Sequence, residues 1–355
     1  MPAVTVHPAT DSVYLAAAEA HPLPIEQAPV WDAFDRAVRD RRPWGRLVIR
    51  EDGETMAVIS LSAYRGRGFR YLWARHGPVW LVEPTPQREQ ALREALARYV
   101  RGIDRGLAFM RIHARHRCAD TLELLQTMTY DRTVIVSLEP SEEEILAQMR
   151  QRGRRCIRKG LRDETLEFRE ETGLSRADFE ALYEVLIETA ARDEFGIAPV
   201  DLYWRMLQAL GAEHCRIFVV RREGRPLAWA IVTVYQGVGV YYYGASSAEG
   251  RRAWAADLLH WRIMQQLRSE GVGSYDFMGI DSERAPALKG VAEFKTKFVR
   301  EPTDVDGAWD VPLRPRFYRG LQLALAAKRG GTTAARSLIA RLRAPLRRQR
   351  DEKAA

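Results

Sequence analysis

RLVIREDGETMAVISLSAYRG, from Arg46 to Gly66, and RIFVVRREGRPLAWAIVTVYQG, from Arg216 to Gly237, share one pattern. Each opens on an apolar run, turns at a charged stretch ending in Gly53 or Gly224, returns as a second apolar run and closes on Tyr-x-Gly. Two apolar runs of strand length around a glycine turn predict a β-hairpin. Outward from the hairpins the agreement continues. Each is succeeded by a third strand-like run, FRYLWARHGPVW (69–80) or VYYYGAS (240–246), then by a long amphipathic helix and a buried strand, AFMRI (108–112) or DFMGI (276–280).

Helical pattern precedes each hairpin. In the second half Ser175 is an N-cap ahead of apolar positions 179, 182, 183, 186 and 187, and a shorter helix, Val200 to Leu210, ends at Gly211. The copies lie about 170 residues apart, a period that indicates a duplicated domain rather than a solenoid. Between them, Ser141 and Glu144 have the spacing of a capping box. The expected division is therefore 1–138 and 139–312, with a basic C-terminal helix (313–345) packing back on the first domain and a polar tail (346–355). Leu321, Leu323 and Leu325 offer that helix core material, and its arginines offer a surface for anionic lipid or tRNA.

At 355 residues and 46% hydrophobic the chain can bury two cores. The first twenty residues lack a signal-peptide pattern and no segment approaches a membrane span, so a soluble cytoplasmic protein is expected. Cys118, Cys156 and Cys215 have no ligand or disulfide spacing, and His113 with His116 lacks a third ligand, so neither a metal nor a cofactor is expected. A net charge of +8 points toward an anionic partner. Since nearly all of it is arginine, the few lysines stand out.

Six stretches carry a family resemblance: YLWARHGPV (71–79), RCIRKG (155–160), ETAARDEFGI (188–197), YYYGAS (241–246), YDFMGID (275–281) and VAEFKTKF (291–298). In this order they resemble the FemABX aminoacyltransferases, and the element order resembles the GNAT acyltransferase fold. The resemblance implies an α/β (α+β) protein of tandem GNAT-like domains, each a mixed twisted sheet flanked by helices. It further implies transfer of an amino acid from aminoacyl-tRNA to the side-chain amine of the third residue of a peptidoglycan stem peptide. The acceptor in the family is a UDP-MurNAc-pentapeptide or the lipid-linked disaccharide pentapeptide, lipid II. The 34 positions from Arg158 to Arg192 leave no room for the coiled-coil arm of some members. Contact with the inner membrane face is a further expectation; DNA binding is not.

Aminolysis of an activated ester can be catalysed largely by positioning. No GxSxG elbow, HExxH or cysteine–histidine pairing offers a covalent nucleophile, so direct attack is expected. By resemblance the family's Phe-Lys pair falls on Phe294 and Lys295, with the ammonium meeting an oxyanion or a phosphate. Lys297 would share a strand face with Lys295 and is the nearest substitute. The diphosphate-contacting arginine falls on Arg192, whose fork suits that group, although a surface pair with Asp193 or Glu188 is the plain alternative.

Strand alternation sends Tyr241 and Tyr243 to one face and Tyr242 to the other, which selects Tyr243 for the acceptor. Gly244, Ala245 and Ser246 would let backbone approach the ligand. Asp276 is a base or a turn cap, and Tyr71, Arg75 and His76 would line the cleft from the first domain. Two other readings compete. An acyl-CoA or acyl-carrier N-acyltransferase would need a glycine-rich pyrophosphate loop, which SSAEGRRAW provides poorly. A non-catalytic tRNA- or membrane-binding module would work through the basic C-terminus alone.

Overall fold

The computed structural model describes residues 3–125 and 129–328. Both repeated hairpins are present, Arg41–Glu51 with Glu54–Gly66 and Cys215–Arg222 with Arg225–Tyr235. Their turns are Asp52-Gly53 (φ +49° and +95°) and Glu223-Gly224 (φ +49° and +76°). Positive φ at both central residues is the turn that matches strand twist, and it explains why glycine recurs at that point. Gln236-Gly237 (φ +43° and +76°) repeats the device and leads into Val238–Ser246.

Around these hairpins stand two sheets. The first runs in the order Val4–Ala9, Arg41–Glu51, Glu54–Gly66, Phe69–Trp73, Leu107–Ala114 and Gly307–Pro312, with Val79–Trp80 paired to Glu54–Gly66. The second runs Ile135–Ser137, Ser274–Asp276, Val238–Ser246, Arg225–Tyr235, Cys215–Arg222 and Glu167–Glu170. Pro86–Ile103 backs the first sheet, starting at the Thr85 cap with proline in its first turn. Ala255–Ser269 backs the second, while Arg176–Asp193 (capped by Ser175) and Val200–His214 cover its other face. The Ser141–Glu144 capping box is formed, and Gly211 breaks Val200–His214 at φ +68°.

The sheets cross the division drawn at Leu138 and Pro312. Residues 135–137 pair with Ser274–Asp276 in the second sheet, and 307–312 return to pair with Leu107–Ala114 in the first. A buried cross-strand pair fixes that return: Arg111 Nε and Nη2 donate to the Asp310 carboxylate at 2.7 and 3.0 Å. Ile25, Trp31 and Phe34, early in the chain, lie in the second sheet's core with Phe179, Met206 and Trp229. The two halves are thus sealed by exchanged segments. Residues 315–328 are helical, and Phe317, Tyr318, Leu321 and Leu325 pack against Phe109, whereas Leu323 is exposed. The rest of the expected C-terminal helix and the polar tail lie outside the described residues.

Two sequence expectations change. DFMGI is a strand only through Asp276; Met278 turns the chain at φ +59° while Phe277 and Ile280 stay in the core. The 291–298 stretch is helical, Lys289–Lys295 continued by a 3-10 turn Thr296–Phe298. Among the described residues no helix is long and apolar enough to cross a membrane.

Candidate active site

Parallel pairing between Val238–Ser246 and Ser274–Asp276 covers only Val238↔Ser274, Gly239↔Tyr275 and Val240↔Asp276. Beyond it the first strand continues to Ser246 while its neighbour turns away at Met278. Two parting backbones expose unpaired groups, and these need partners. Lys295 supplies two of them, donating from Nζ to Met278 O at 3.1 Å and Gly279 O at 2.9 Å. An ammonium has three donors, so among the described residues one is left after these bonds. Burial lowers the Lys295 amine to about 8, opposed by the Asp276 carboxylate.

Asp276 is a turn cap: its Oδ1 accepts from Thr133 Oγ1 at 2.5 Å and Met278 N at 2.7 Å. Burial raises its carboxyl above the usual range. Phe294 packs beside His260 and Phe298, with ring centroids 5.4 and 5.5 Å away. Lys297 is no substitute for Lys295. On a helical stretch two positions are far apart in direction, and Lys297 is buried against Asp257 with its Nζ 4.2 Å from the Phe294 ring.

The tyrosine wall does not alternate. Ile231 pairs with Tyr243 and Val232 with Tyr241, which leaves Tyr242 bulged. A bulge adds one residue and switches the face to which later side chains point. Tyr241 therefore packs into the core on one side of the sheet, while Tyr242 and Tyr243 both pack on the other. Gly244 is required for a reason other than ligand approach: a Cβ there would strike the Tyr241 hydroxyl and Trp229 O. The Tyr241 ring lies 5.9 Å from Lys295 Nζ and 4.5 Å from His260.

Tyr242 donates to Glu26 Oε1 at 3.0 Å and packs 5.6 Å from Trp31. Tyr243 meets Tyr203 edge-on at 4.7 Å, and its hydroxyl makes no hydrogen bond among the described residues. Burial raises both phenols, and the Arg75 cation opposes this in each. Arg75 donates from Nε to Tyr64 at 2.9 Å and lies 4.1 Å over Trp73. Its loop is held by the fully buried Gln27, which bonds Arg75 O at 2.8 Å and both backbone groups of Ser60.

Glu26, pushed up by burial, stands 3.7 Å from His76 Nε2. Burial drops His76 to about 4 and His113 to about 3, which leaves both rings neutral at pH 7. Tyr130 links this cluster to the opening, since Gly279 packs against its ring and it senses both Asp276 and Glu26. Tyr71 stands outside it, stacked on Phe109 at 4.7 Å and one ring removed from Arg75 through Tyr64.

Arg192 ends helix Arg176–Asp193. It donates to Ser246 O at 2.9 Å and takes Asp193 as a two-toothed partner at 3.0 and 2.9 Å, so the plain surface pair is formed. Arg251 approaches the same carboxylate at 3.5 Å. One anion thus sits between two guanidiniums. Nearby, Glu188 accepts from Ala248 N at 2.7 Å and Ser247 from Gly250 N at 3.0 Å, so these amides have internal partners.

Of the residues singled out in the sequence, Lys295, Phe294 and Asp276 gather where the strands part, Arg75 and Tyr243 stand on the other side of the sheet and are linked to them through Glu26 and Tyr130, and Arg192 sits at the end of Val238–Ser246. The sequence missed Glu26, Tyr130 and Arg251, none of which belongs to a local pattern.

Residues 147–296 match the family model for an acetyltransferase (GNAT) domain. Over the whole fold the chain is similar to the crystal structure of FemX, with a TM-score of 0.68 and 15% identity across 89% of this chain and 99% of that one. The chain has the tandem GNAT fold. A tandem GNAT protein from the clavulanic acid biosynthesis pathway is similar at TM-score 0.52 and 10% identity, covering 88% of this chain and 99% of that one. In sequence the chain is 29% identical over 151 residues to a UDP-N-acetylmuramoylpentapeptide-lysine N(6)-alanyltransferase of Weissella viridescens. That alignment spans 42% of this chain and 44% of the alanyltransferase, less than half of either.

Proposed function

We propose that the chain is an aminoacyltransferase of peptidoglycan bridge formation. It moves an aminoacyl group from the ester of a charged tRNA to the side-chain amine of the third stem-peptide residue. The acceptor is carried on a UDP-muramyl or lipid-linked diphosphate. The observation that carries this reading is Lys295 in the opening between the parted strands, with one donor unspent. The alanyltransferase relative supports it over the 151 residues that align.

In the proposed reaction the amine nitrogen attacks the ester carbonyl carbon, and charge gathers on the carbonyl oxygen. The remaining Lys295 donor stabilises that oxyanion in a water-poor setting, where such contacts are strongest. The C–O bond to ribose then breaks, and the ribose hydroxyl leaves with the proton that the amine gives up. Asp276, committed to Thr133 and Met278 N, orients the turn that carries the two carbonyls rather than taking the proton. Tyr243, with a free hydroxyl, and Arg75 line the acceptor side. The acceptor diphosphate takes the place of the Asp193 carboxylate between Arg192 and Arg251.

The internally satisfied amides at Ala248 and Gly250 disfavour the acyl-CoA reading, because a pyrophosphate would need them free. The test is mass spectrometry of UDP-linked and lipid-linked stem peptides incubated with the protein and a charged tRNA pool. An aminoacyl increment that needs intact charged tRNA is expected. Consumption of acetyl-CoA without such an increment would overturn the proposal.

A further inference from the structure

Helix Gln151–Arg162, QRGRRCIRKGLR, contains no acidic residue and opens the second half of the fold. At 100° per residue Arg152, Arg155, Arg158, Lys159 and Arg162 fall within an arc of about 120°, a stripe about 15 Å long. All five are exposed, and among the described residues none has a carboxylate partner. Asp163, the acid at the helix end, is taken by Arg222 at 2.6 Å. Lys159 lies 4.2 Å over the half-buried Trp254 ring, a contact that keeps its charge.

The position of the stripe matters as much as its charge. Gly153 packs against Lys297 O, and Arg150 N donates to that same carbonyl at 3.2 Å. The N-terminal end of the helix therefore abuts, through the face opposite the stripe, the segment that carries Lys295. The opposite face of the helix, Gly153, Cys156, Ile157 and Gly160, is buried in the protein. A membrane-surface helix binds through its apolar face, which is unavailable here. Arginine forks one helical turn apart on a narrow stripe suit a line of phosphates.

We infer that the exposed face of helix 151–162 docks the phosphate backbone of an RNA whose end is delivered to Lys295. The inference rests on the proposed tRNA donor. Five phosphate contacts predict a slope of log affinity on log salt of about −4.5, or about 500-fold weaker binding at 200 mM than at 50 mM. Removing two contacts reduces the slope by about 2 and weakens binding about 30-fold near 150 mM salt.

The test measures binding of the full chain to an uncharged RNA hairpin with a single-stranded 3′ end. The wild type is compared with Arg155→Gln/Arg158→Gln and with Arg98→Gln/Arg105→Gln, which removes equal charge from exposed positions elsewhere. Vesicles of 30% phosphatidylglycerol in phosphatidylcholine form a parallel arm. The expected result is loss of RNA affinity and slope in the first variant only, with unchanged thermal unfolding. Equal effects in both variants would reduce the stripe to net charge. Loss of vesicle binding with RNA binding intact would assign the face to a membrane. Either result overturns the inference. Since the RNA is uncharged, failure here leaves the proposed transfer standing, and failure of transfer leaves this result standing.

Discussion

Replacing Lys295 by methionine, similar in length and without charge, separates a functional lysine from a structural one. Burial holds the amine at about 8 against its ordinary 10.5. That difference means that the ammonium disfavours folding by about 3 kcal/mol at pH 7 relative to the neutral amine. Against this, methionine abandons two hydrogen bonds, to Met278 O and Gly279 O, together about 2 kcal/mol. Lys295→Met should therefore be as stable as the wild type at pH 7, or about 1 kcal/mol more stable.

The sign with pH comes from proton counting. With the folded value below the unfolded one, the folded state binds fewer protons between pH 8 and 10.5. The stability linked to this group rises across that window and is lost as pH falls through 8. By pH 9.5 the penalty has dropped by about 2 kcal/mol, so the variant becomes the less stable protein by about 1 kcal/mol. Urea unfolding of both proteins at pH 7 and 9.5 measures this, and the buried tyrosines and Cys215 cancel in the difference. Transfer should fall by about 10²–10³ in the variant. A variant destabilised by more than about 2 kcal/mol at pH 7 with near-normal transfer would refute the reasoning and make Lys295 a structural clamp.

Three further outcomes are expected. If the ammonium form of Lys295 is the working one, the wild-type transfer rate turns down above pH 8, and rate–pH profiles of Lys295→Met should lack that limb. Arg192→Ala should raise the acceptor KM about 10-fold, since the guanidinium is one-quarter exposed and must first release Asp193, whereas Asp193→Asn should leave KM unchanged or lower it. Steady-state kinetics with the UDP-linked acceptor decide this, and a KM raised equally by both substitutions would place the diphosphate elsewhere. Gly244→Ala should cost about 1–3 kcal/mol in denaturant unfolding, because its methyl meets backbone at Trp229 as well as the Tyr241 hydroxyl; a loss under about 0.5 kcal/mol would show that the bulge can relax.

Sequence alone determined the parts of this protein that local chemistry dictates. Paired glycine turns at Gly53 and Gly224 impose a backbone sign that few residues tolerate, and side-chain caps at Ser141 and Ser175 satisfy amides three residues away. Such signals act over a few positions, so the hairpins, the helix starts and the duplication were legible. Lys295, Phe294, Asp276 and Arg75 are singled out by resemblance, not by period.

Only the tertiary structure decided where those residues stand and what surrounds them. The bulge at Tyr242 arises from pairing with Ile231 and Val232, and no residue in the YYY run signals it. The opening exists because pairing stops after Asp276, and a charged lysine is tolerated there because the turn that follows Asp276 presents two carbonyls to it. Glu26 and Tyr242 meet across 216 positions of chain. Register and burial are long-range outcomes that depend on which surfaces close against each other. A period read along one strand cannot contain them.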